Sequence, residues 1–298
     1  MKYFFFFFLL FFLPSSLHAH PDFFIMGSGK IALRNIHTGS SVKTDYRHGE
    51  NEYDEKNLKK INALYGGPIS LRFLELLAYL QDHFNGALIQ ILSGYRSPHE
   101  NEGLRKKGRL AALSSMHKEA AAADLKLAGV DPTKVRDFLM ALHCCGVGYY
   151  HGKHVHVDTG PSRWWDEKTS GTEKTEPQEN EKIILLTQKD IYLPHEKIVF
   201  DFARVSDYPI GISPPIELEK WGRDEWKKIF SPLVKGGPGG ISNTSCQVFD
   251  TRKQVKNLSI DLPQSLAPSR YRMTVTFCNK RWEKMPEKIT SNEFEIRE

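Results

Sequence analysis

The sequence predicts an α+β domain followed by an all-β sandwich. Before residue 165, helical stripes of apolar residues alternate with short β-like runs. After residue 183, apolar and polar residues alternate at period two between turn residues, a pattern typical of antiparallel sandwiches. Residues 166–182 contain nine charged residues in seventeen and no large apolar side chain. This stretch cannot bury surface, so it is predicted to be a solvated linker between domains 20–165 and 183–298.

The composition limits the class of protein. The chain has 298 residues, 40% of them hydrophobic, which is enough for two cores. It has 41 basic and 36 acidic residues, and the net charge of +5 without a dense basic block gives no basis for nucleic-acid binding. Four cysteines in this length exclude a disulfide-framework miniprotein, and the absence of a CxxC motif excludes that type of zinc finger.

The first nineteen residues are predicted to be a secretory signal peptide. Lys2 precedes an apolar run from Tyr3 to Leu13, which is about half the length of a membrane span, and Ala19 suits the position before cleavage. The alternative is an uncleaved membrane anchor. No other apolar stretch approaches eighteen residues. We therefore expect an exported protein, periplasmic or secreted, with no stable membrane span after cleavage.

Individual elements follow from local patterns. In the first domain, a helix beginning near Pro68 carries the stripe Leu71, Leu74, Leu77 and Ala78, and a second begins with Asp131 as cap and Pro132 in its first turn. Runs 87–92, 123–127 and 154–158 are predicted strands. The second domain has predicted strands at 198–205, 216–221, 247–249, 258–262, 271–277 and 293–296.

The cysteines form two sequence pairs with different expectations. Cys246 and Cys278 lie within or beside predicted strands, and in an oxidising compartment we expect them to form a disulfide; two free buried thiols are the alternative. Cys144 and Cys145 are adjacent at the end of an apolar helix. A disulfide between neighbours closes a strained ring, so two small buried core residues are expected there.

A strand near residue 156 carries metal-competent side chains. Successive strand residues point to opposite faces, so His154, His156 and Asp158 share one face while Val155 and Val157 face the core. Three such side chains require solvent, a partner or a metal ion. An exposed edge strand with chance histidines is the alternative that this segment alone leaves open.

A second segment favours the metal. His117 precedes Asp124 by seven positions, and Asp124 lies within an apolar β-like run where a carboxylate requires compensation, from a cation or from a salt bridge to Lys or Arg. Two imidazoles and a carboxylate are a usual ligand set of catalytic zinc, with a fourth position for water. His117, Asp124 and His156 supply that set.

These segments also resemble a known family. The motifs SGYRSP, SxH-x6-D, GVGYY and HVHVDTGPSRWW stand in the order and spacing of zinc peptidases of the D-Ala-D-Ala carboxypeptidase and hedgehog superfamily, specifically of the YcbK-like exported murein endopeptidases. The resemblance covers residues 30–165. It implies a central antiparallel sheet with helices, one zinc ion bound by His117, Asp124 and His156, an Arg96 that holds substrate or polarises its carbonyl, and a catalytic His154 beside the metal. The C-terminal part resembles bacterial immunoglobulin-like domains.

The chain departs from the superfamily pattern at two positions. Lys153 stands where many relatives have an acidic general base, which leaves His154 or a distant carboxylate, Glu119 or Asp158, as candidate bases. Ala120 stands where the pattern has glycine, and alanine is strained there if the backbone requires positive φ.

Three functions remain open at this point. The first is an exported zinc peptidase that hydrolyses peptidoglycan stem peptides or cross-links. The second is a catalytically impaired, zinc-containing wall-binding protein, which the two departures would explain. The third is an adhesion or inhibitor protein that acts through a wall or protein ligand of its C-terminal domain. Residues 183–298 contain no dense His/Asp/Glu cluster, so the chemistry of the chain is expected in the first domain.

Overall fold

The computed structural model describes residues 24–108, 111–168, 178–230, 234–235, 246–262, 266–279 and 281–297. The predicted signal peptide lies outside these residues, as does the centre of the predicted linker, residues 169–177. In the described ranges, no helix combines the length and the apolar character needed to cross a membrane.

The chain up to Asp166 forms a mixed α/β region. Its strands are β1 (Lys30–Asn35), β2 (Ser41–Asp45), β3 (Arg47–His48), β4 (Glu52–Tyr53), β5 (Ile89–Ser93), β6 (Ala122–Leu127), β7 (Gly146–Tyr149), β8 (Val155–Asp158) and β9 (Arg163–Asp166). Its helices are α1 (Glu55–Tyr65), α2 (Leu71–His83), α3 (Pro98–Lys106) and α4 (Pro132–Ala141), and a 3-10 turn spans Met116–Glu119.

Seven of these strands form one sheet in the order β2-β1-β5-β6-β8-β7-β9. The expectation of an antiparallel sheet is wrong at two places, since β1 pairs with β5 and β7 pairs with β9 in parallel. Between β1 and β5 the chain passes through α1 and α2, which supplies the long crossover that a parallel pair needs. The strands between β5 and β7 are antiparallel throughout, and they carry the candidate site.

The two predicted helices are present, with shifted bounds. Leu74, Leu77 and Ala78 of α2 are completely buried in the core that the helices share with the sheet. In α4, the Asp131 side chain accepts a hydrogen bond from the backbone N–H of Thr133, as a cap should. These buried stripes hold the helices against the sheet and so fix the strand ends that carry the site.

The C-terminal region is β-rich. Its strands are β10 (Ile184–Thr187), β11 (Ile191–Tyr192), β12 (Lys197–Ala203), β13 (Ile210–Gly222), β14 (Glu225–Phe230), β15 (Val234–Lys235), β16 (Gln247–Phe249), β17 (Leu258–Asp261), β18 (Ser269–Phe277), β19 (Lys288–Thr290) and β20 (Phe294–Ile296). They form a four-stranded sheet, β10-β12-β17-β15, and a larger sheet whose path is β11-β20-β18-β13-β14. Buried side chains of both sheets form one hydrophobic core, as the period-two pattern predicts.

Both cysteine pairs are bonded. Cys246 and Cys278 form a disulfide beside β16 and β18, which confirms that expectation. The expectation of two separate thiols at Cys144 and Cys145 is wrong, because the structure joins them to each other. These two residues also follow α4 instead of ending it, in the connection to β7, where the backbone is free of helical constraints.

Candidate metal centre

The sheet itself places two of the three predicted ligands side by side. Asp124 of β6 lies directly opposite His156 of β8 in the antiparallel ladder, so both side chains emerge on one face. Val155 and Val157 face the core with at most 1% exposure, as the alternation predicts. The alternative of an exposed edge strand is wrong, because β8 lies between β6 and β7.

His117 reaches the same point from the 3-10 turn that precedes β6. Ser115 caps the turn by accepting a hydrogen bond from the backbone N–H of His117. His117 Nδ1 lies 2.7 Å from the carbonyl oxygen of Gly94, in the SGYRSP segment after β5. Because the carbonyl oxygen accepts a hydrogen bond from Nδ1–H, the free lone pair of this imidazole is on Nε2. The same contact orients Nε2 toward Asp124 and His156.

The three side chains have the spacing of metal ligands. His117 Nε2 lies 3.2 Å from His156 Nδ1 and 3.5 Å from Asp124 Oδ1. The His156 Nδ1 to Asp124 Oδ1 distance is 2.9 Å. Donors about 2.0–2.1 Å from a tetrahedral zinc ion are separated by about 3.3 Å. The donor set and its spacing therefore fit zinc, and the donor atoms all lie within 4.8 Å of one another.

The electrostatics of the cluster suit a cation. Burial alone would raise the pKa of Asp124, but His117 and His156 hold it well below its usual range, so the carboxylate is anionic. Burial lowers the pKa of His117 and keeps that imidazole neutral. The hydrogen bonds of His156 to Asp124 and Asp158 outweigh its burial and raise its pKa to about 9. A cation at this point would compete with the proton on His156 Nδ1.

Asp158 orients His156 from behind. Its side chain is completely buried, and its Oδ2 lies 3.1 Å from His156 Nε2. Arg163 and His156 outweigh the burial of Asp158 and hold its pKa far below the usual range, and the Arg163 guanidinium donates to both carboxylate oxygens. A histidine that donates its second N–H to a carboxylate is held in one orientation. Both oxygens of Asp158 are thus engaged by His156 and Arg163, which is the geometry of an orienting group.

Arg96 lies at the metal centre but is already engaged. Its Nη2 donates to Asp124 Oδ2 at 2.8 Å and its Nε donates to Ser93 Oγ at 2.9 Å. The guanidinium thus fixes the oxygen of Asp124 that does not face the histidines. Its predicted role toward substrate stays a prediction.

Two aromatic side chains, Tyr150 and Trp165, contact the histidines of the HVH segment. His154 stacks on Tyr150 with ring centroids 4.3 Å apart, and the Trp165 ring lies 5.1 Å from the ring of His156. Burial lowers the pKa of the half-buried His154, which favours a neutral imidazole. Tyr149 faces away and packs under Arg136. Trp165 had no role in the sequence-based prediction, although it belongs to the quoted RWW segment.

The structure shows the surroundings of Lys153 and of the carboxylates that the sequence offers as candidate bases. Lys153 is exposed in the turn between β7 and β8 and pairs with Glu167. Glu119 is buried and forms ion pairs with Arg252 and Lys256 of the C-terminal region. Glu119 and Asp158 are both engaged in buried ion pairs, and the assignment of His154 as the base stays a prediction.

Ala120 has the backbone conformation that favours glycine, with φ at 55°. We expect Ala120→Gly to change the free energy of unfolding by less than about 1 kcal/mol. Relief of left-handed strain, about 1–2 kcal/mol, is offset by about 0.5–1 kcal/mol of backbone entropy and about 0.8 kcal/mol for the buried methyl group. Urea unfolding and zinc titration would measure this. A large gain in zinc affinity would show instead that alanine distorts the turn.

Comparisons with known proteins extend over the same region. A family model described as peptidoglycan L,D-endopeptidase MepK matches residues 26–165. The peptidoglycan L,D-endopeptidase MepK of Escherichia coli K12 is 32% identical over 144 residues, which cover 45% of this chain and 79% of that protein. A Haemophilus influenzae protein named probable peptidoglycan L,D-endopeptidase MepK is 30% identical over 145 residues, covering 45% and 77%. No solved structure matches this chain.

Proposed function

Because this chain belongs to the peptidoglycan L,D-endopeptidase MepK family, we propose that it is an exported zinc peptidase that hydrolyses peptide bonds in peptidoglycan stem peptides or cross-links. The single observation that carries the proposal is the convergence of His117, Asp124 and His156 at ligand spacing. The L,D-endopeptidase activity in the names of the relatives favours an L,D bond as the substrate.

The residues of the site have different proposed roles. His117, Asp124 and His156 would hold one zinc ion, which when bound lowers the pKa of a water molecule and polarises the scissile carbonyl. Arg96 and Asp158 hold Asp124 and His156 in the required orientation. The guanidinium of Arg96 also carries the fixed positive charge that suits a substrate carboxylate or a developing oxyanion.

His154 would move the proton. Its neutral imidazole, stacked on Tyr150 and two residues before the ligand His156, would accept a proton from the attacking water and deliver it to the leaving amine. This assignment replaces the acidic base of other superfamily members, whose position is occupied here by the exposed Lys153.

The remaining parts of the proposal concern location and the second region. The predicted signal peptide supports export to the periplasm or beyond, where the Cys246–Cys278 disulfide is stable. We further propose that residues 183–298 form an immunoglobulin-like sandwich, which the core shared by the two sheets supports. A wall or protein ligand of this domain is part of the proposal, on the analogy of its fold.

Metal removal gives the direct test. We expect purified protein to release cross-linked peptides from isolated peptidoglycan, to lose this activity completely after chelation, and to regain it with one equivalent of zinc, because zinc held by His117, Asp124 and His156 would supply the activation of water. Muropeptide chromatography and metal analysis would measure both steps.

Two outcomes of this experiment separate the alternatives. Zinc bound at one equivalent without any turnover would support the catalytically impaired wall-binding protein, which the missing acidic base favours. Unchanged turnover after complete removal of the metal would refute the zinc mechanism.

A further inference from the structure

The acidic side chain of Glu119 connects the ligand-bearing turn to the C-terminal region. Glu119 is 8% exposed and lies two residues after His117. Its Oε2 accepts from Arg252 at 2.7 Å and from Lys256 at 2.8 Å, and its Oε1 accepts from the backbone N–H of Arg204 at 3.2 Å. All three donors belong to the C-terminal region, which begins more than sixty residues later.

This contact is strong for electrostatic reasons. The Glu119 carboxylate, whose side chain is 2% exposed, is paired with two cations, Arg252 and Lys256, where solvent screens the attraction little. The Arg252 guanidinium also donates to the carbonyl oxygen of Lys118. Arg252 therefore binds the side chain of Glu119 and the backbone of Lys118, the two residues that follow His117 in the turn.

The apolar side of the same turn is also covered by the C-terminal region. Met116, Ala121 and Ala122 are buried and form a separate hydrophobic cluster. The side chains that pack against this cluster are Ile184 and Leu186 of β10. The turn that carries His117 thus has the C-terminal region on its apolar as well as on its charged side.

The second ligand strand has its own connection. Arg72, at the start of α2, donates through Nε to Asp190 at 2.5 Å and through Nη1 to the carbonyl oxygen of Thr159 at 2.7 Å. Thr159 follows β8, the strand of His156, and its backbone N–H donates to the carbonyl oxygen of Ala121 beside the turn. The buried guanidinium of Arg72 therefore joins the C-terminal region to the end of β8, and the backbone of Thr159 in turn joins that end to the segment after the His117 turn.

We infer that the C-terminal region is a built-in scaffold of the metal centre, and that Arg252 and Lys256 are positioning residues for His117. The inference rests on the proposed zinc function. The family model ends at residue 165, so these contacts are made by a part of the chain that the family match does not include. The region is accordingly an integral part of the catalytic unit, whatever else it binds.

Zinc affinity of single variants in the full chain tests this inference. We expect Arg252→Met to raise the zinc Kd, measured by chelator competition, about tenfold, at the lower end of the effect of groups that support metal ligands. The visible spectrum of the cobalt-loaded variant should change, since it reports the ligand geometry. Arg252→Lys, which keeps the charge, should restore the Kd to within about twofold, and Lys256→Met should shift it in the same direction as Arg252→Met.

The matched control is Arg272→Met. Arg272 pairs with Glu219 at 2.8 Å within the C-terminal region, on the sheet strands β13 and β18, so its loss costs stability without reaching the turn. The inference would be overturned if Arg252→Met and Lys256→Met both fold and bind zinc with the wild-type Kd and cobalt spectrum. If Arg252→Met does not fold, the zinc Kd and cobalt spectrum of Lys256→Met decide. A wild-type protein that binds no zinc would overturn the proposed function and the inference with it.

Discussion

Replacement of His117 by alanine is expected to abolish stoichiometric zinc binding and to lower peptidoglycan hydrolysis at least about 1000-fold. The substitution removes one of three protein donors from a site whose reaction depends on the metal-activated water. His117 is 2% exposed and its Nε2 lies 3.2 Å from His156 Nδ1, so its removal leaves a buried site with two of the three donors. Metal analysis after dialysis and muropeptide chromatography would measure the two effects.

Two further histidines make this experiment specific. His154→Ala should retain one zinc ion and lose about 10²–10⁴-fold in rate, because it removes a proton carrier and no ligand. His99→Ala, at an exposed position in α3, should change neither quantity. A His117→Ala variant that keeps one tightly bound zinc ion would contradict the ligand assignment, and a fully active His154→Ala would contradict the proposed base.

The candidate site could be predicted because its chemistry is concentrated in short segments with a clear period. Alternation places His156 and Asp158 on one strand face, and the apolar run around Asp124 marks a carboxylate that requires compensation. What holds these residues could not be predicted in the same way. The side chains that pair with Glu119, Arg252 and Lys256, lie more than 130 residues away, so neither the burial nor the orientation of Glu119 follows from the sequence around it.

The fold shows the same division between local and long-range information. The helix α4 was predictable from its cap at Asp131 and its apolar stripe, both of which are local signals. The parallel pairs β1–β5 and β7–β9 depend on where a crossover returns to the sheet, and no local pattern specifies that. The bond between Cys144 and Cys145 likewise depends on the conformation of the segment after α4, which the apolar run before it does not reveal.

Asp158→Asn is expected to raise the zinc Kd about 10- to 100-fold, the usual effect of removing the group that orients a metal-bound histidine. The buried carboxylate accepts from His156, from Arg163 and from the backbone N–H of Gly160. In an asparagine, one of these donors would face the side-chain NH₂ group, because an amide has a single acceptor oxygen. Chelator competition would measure the Kd, with Asp137→Asn, an exposed partner of Arg136, as the matched control.

The same variant separates two roles for Asp158. An orienting group acts through His156, so its loss weakens zinc binding, and excess zinc should restore much of the rate. A general base acts on water directly, so its loss would lower kcat at saturating zinc and leave the Kd unchanged. The completely buried position of Asp158, with both oxygens engaged by His156 and Arg163, favours the first pattern. If Asp158→Asn instead kept the wild-type zinc Kd and lost much of kcat, Asp158 would be the general base and His154 would not.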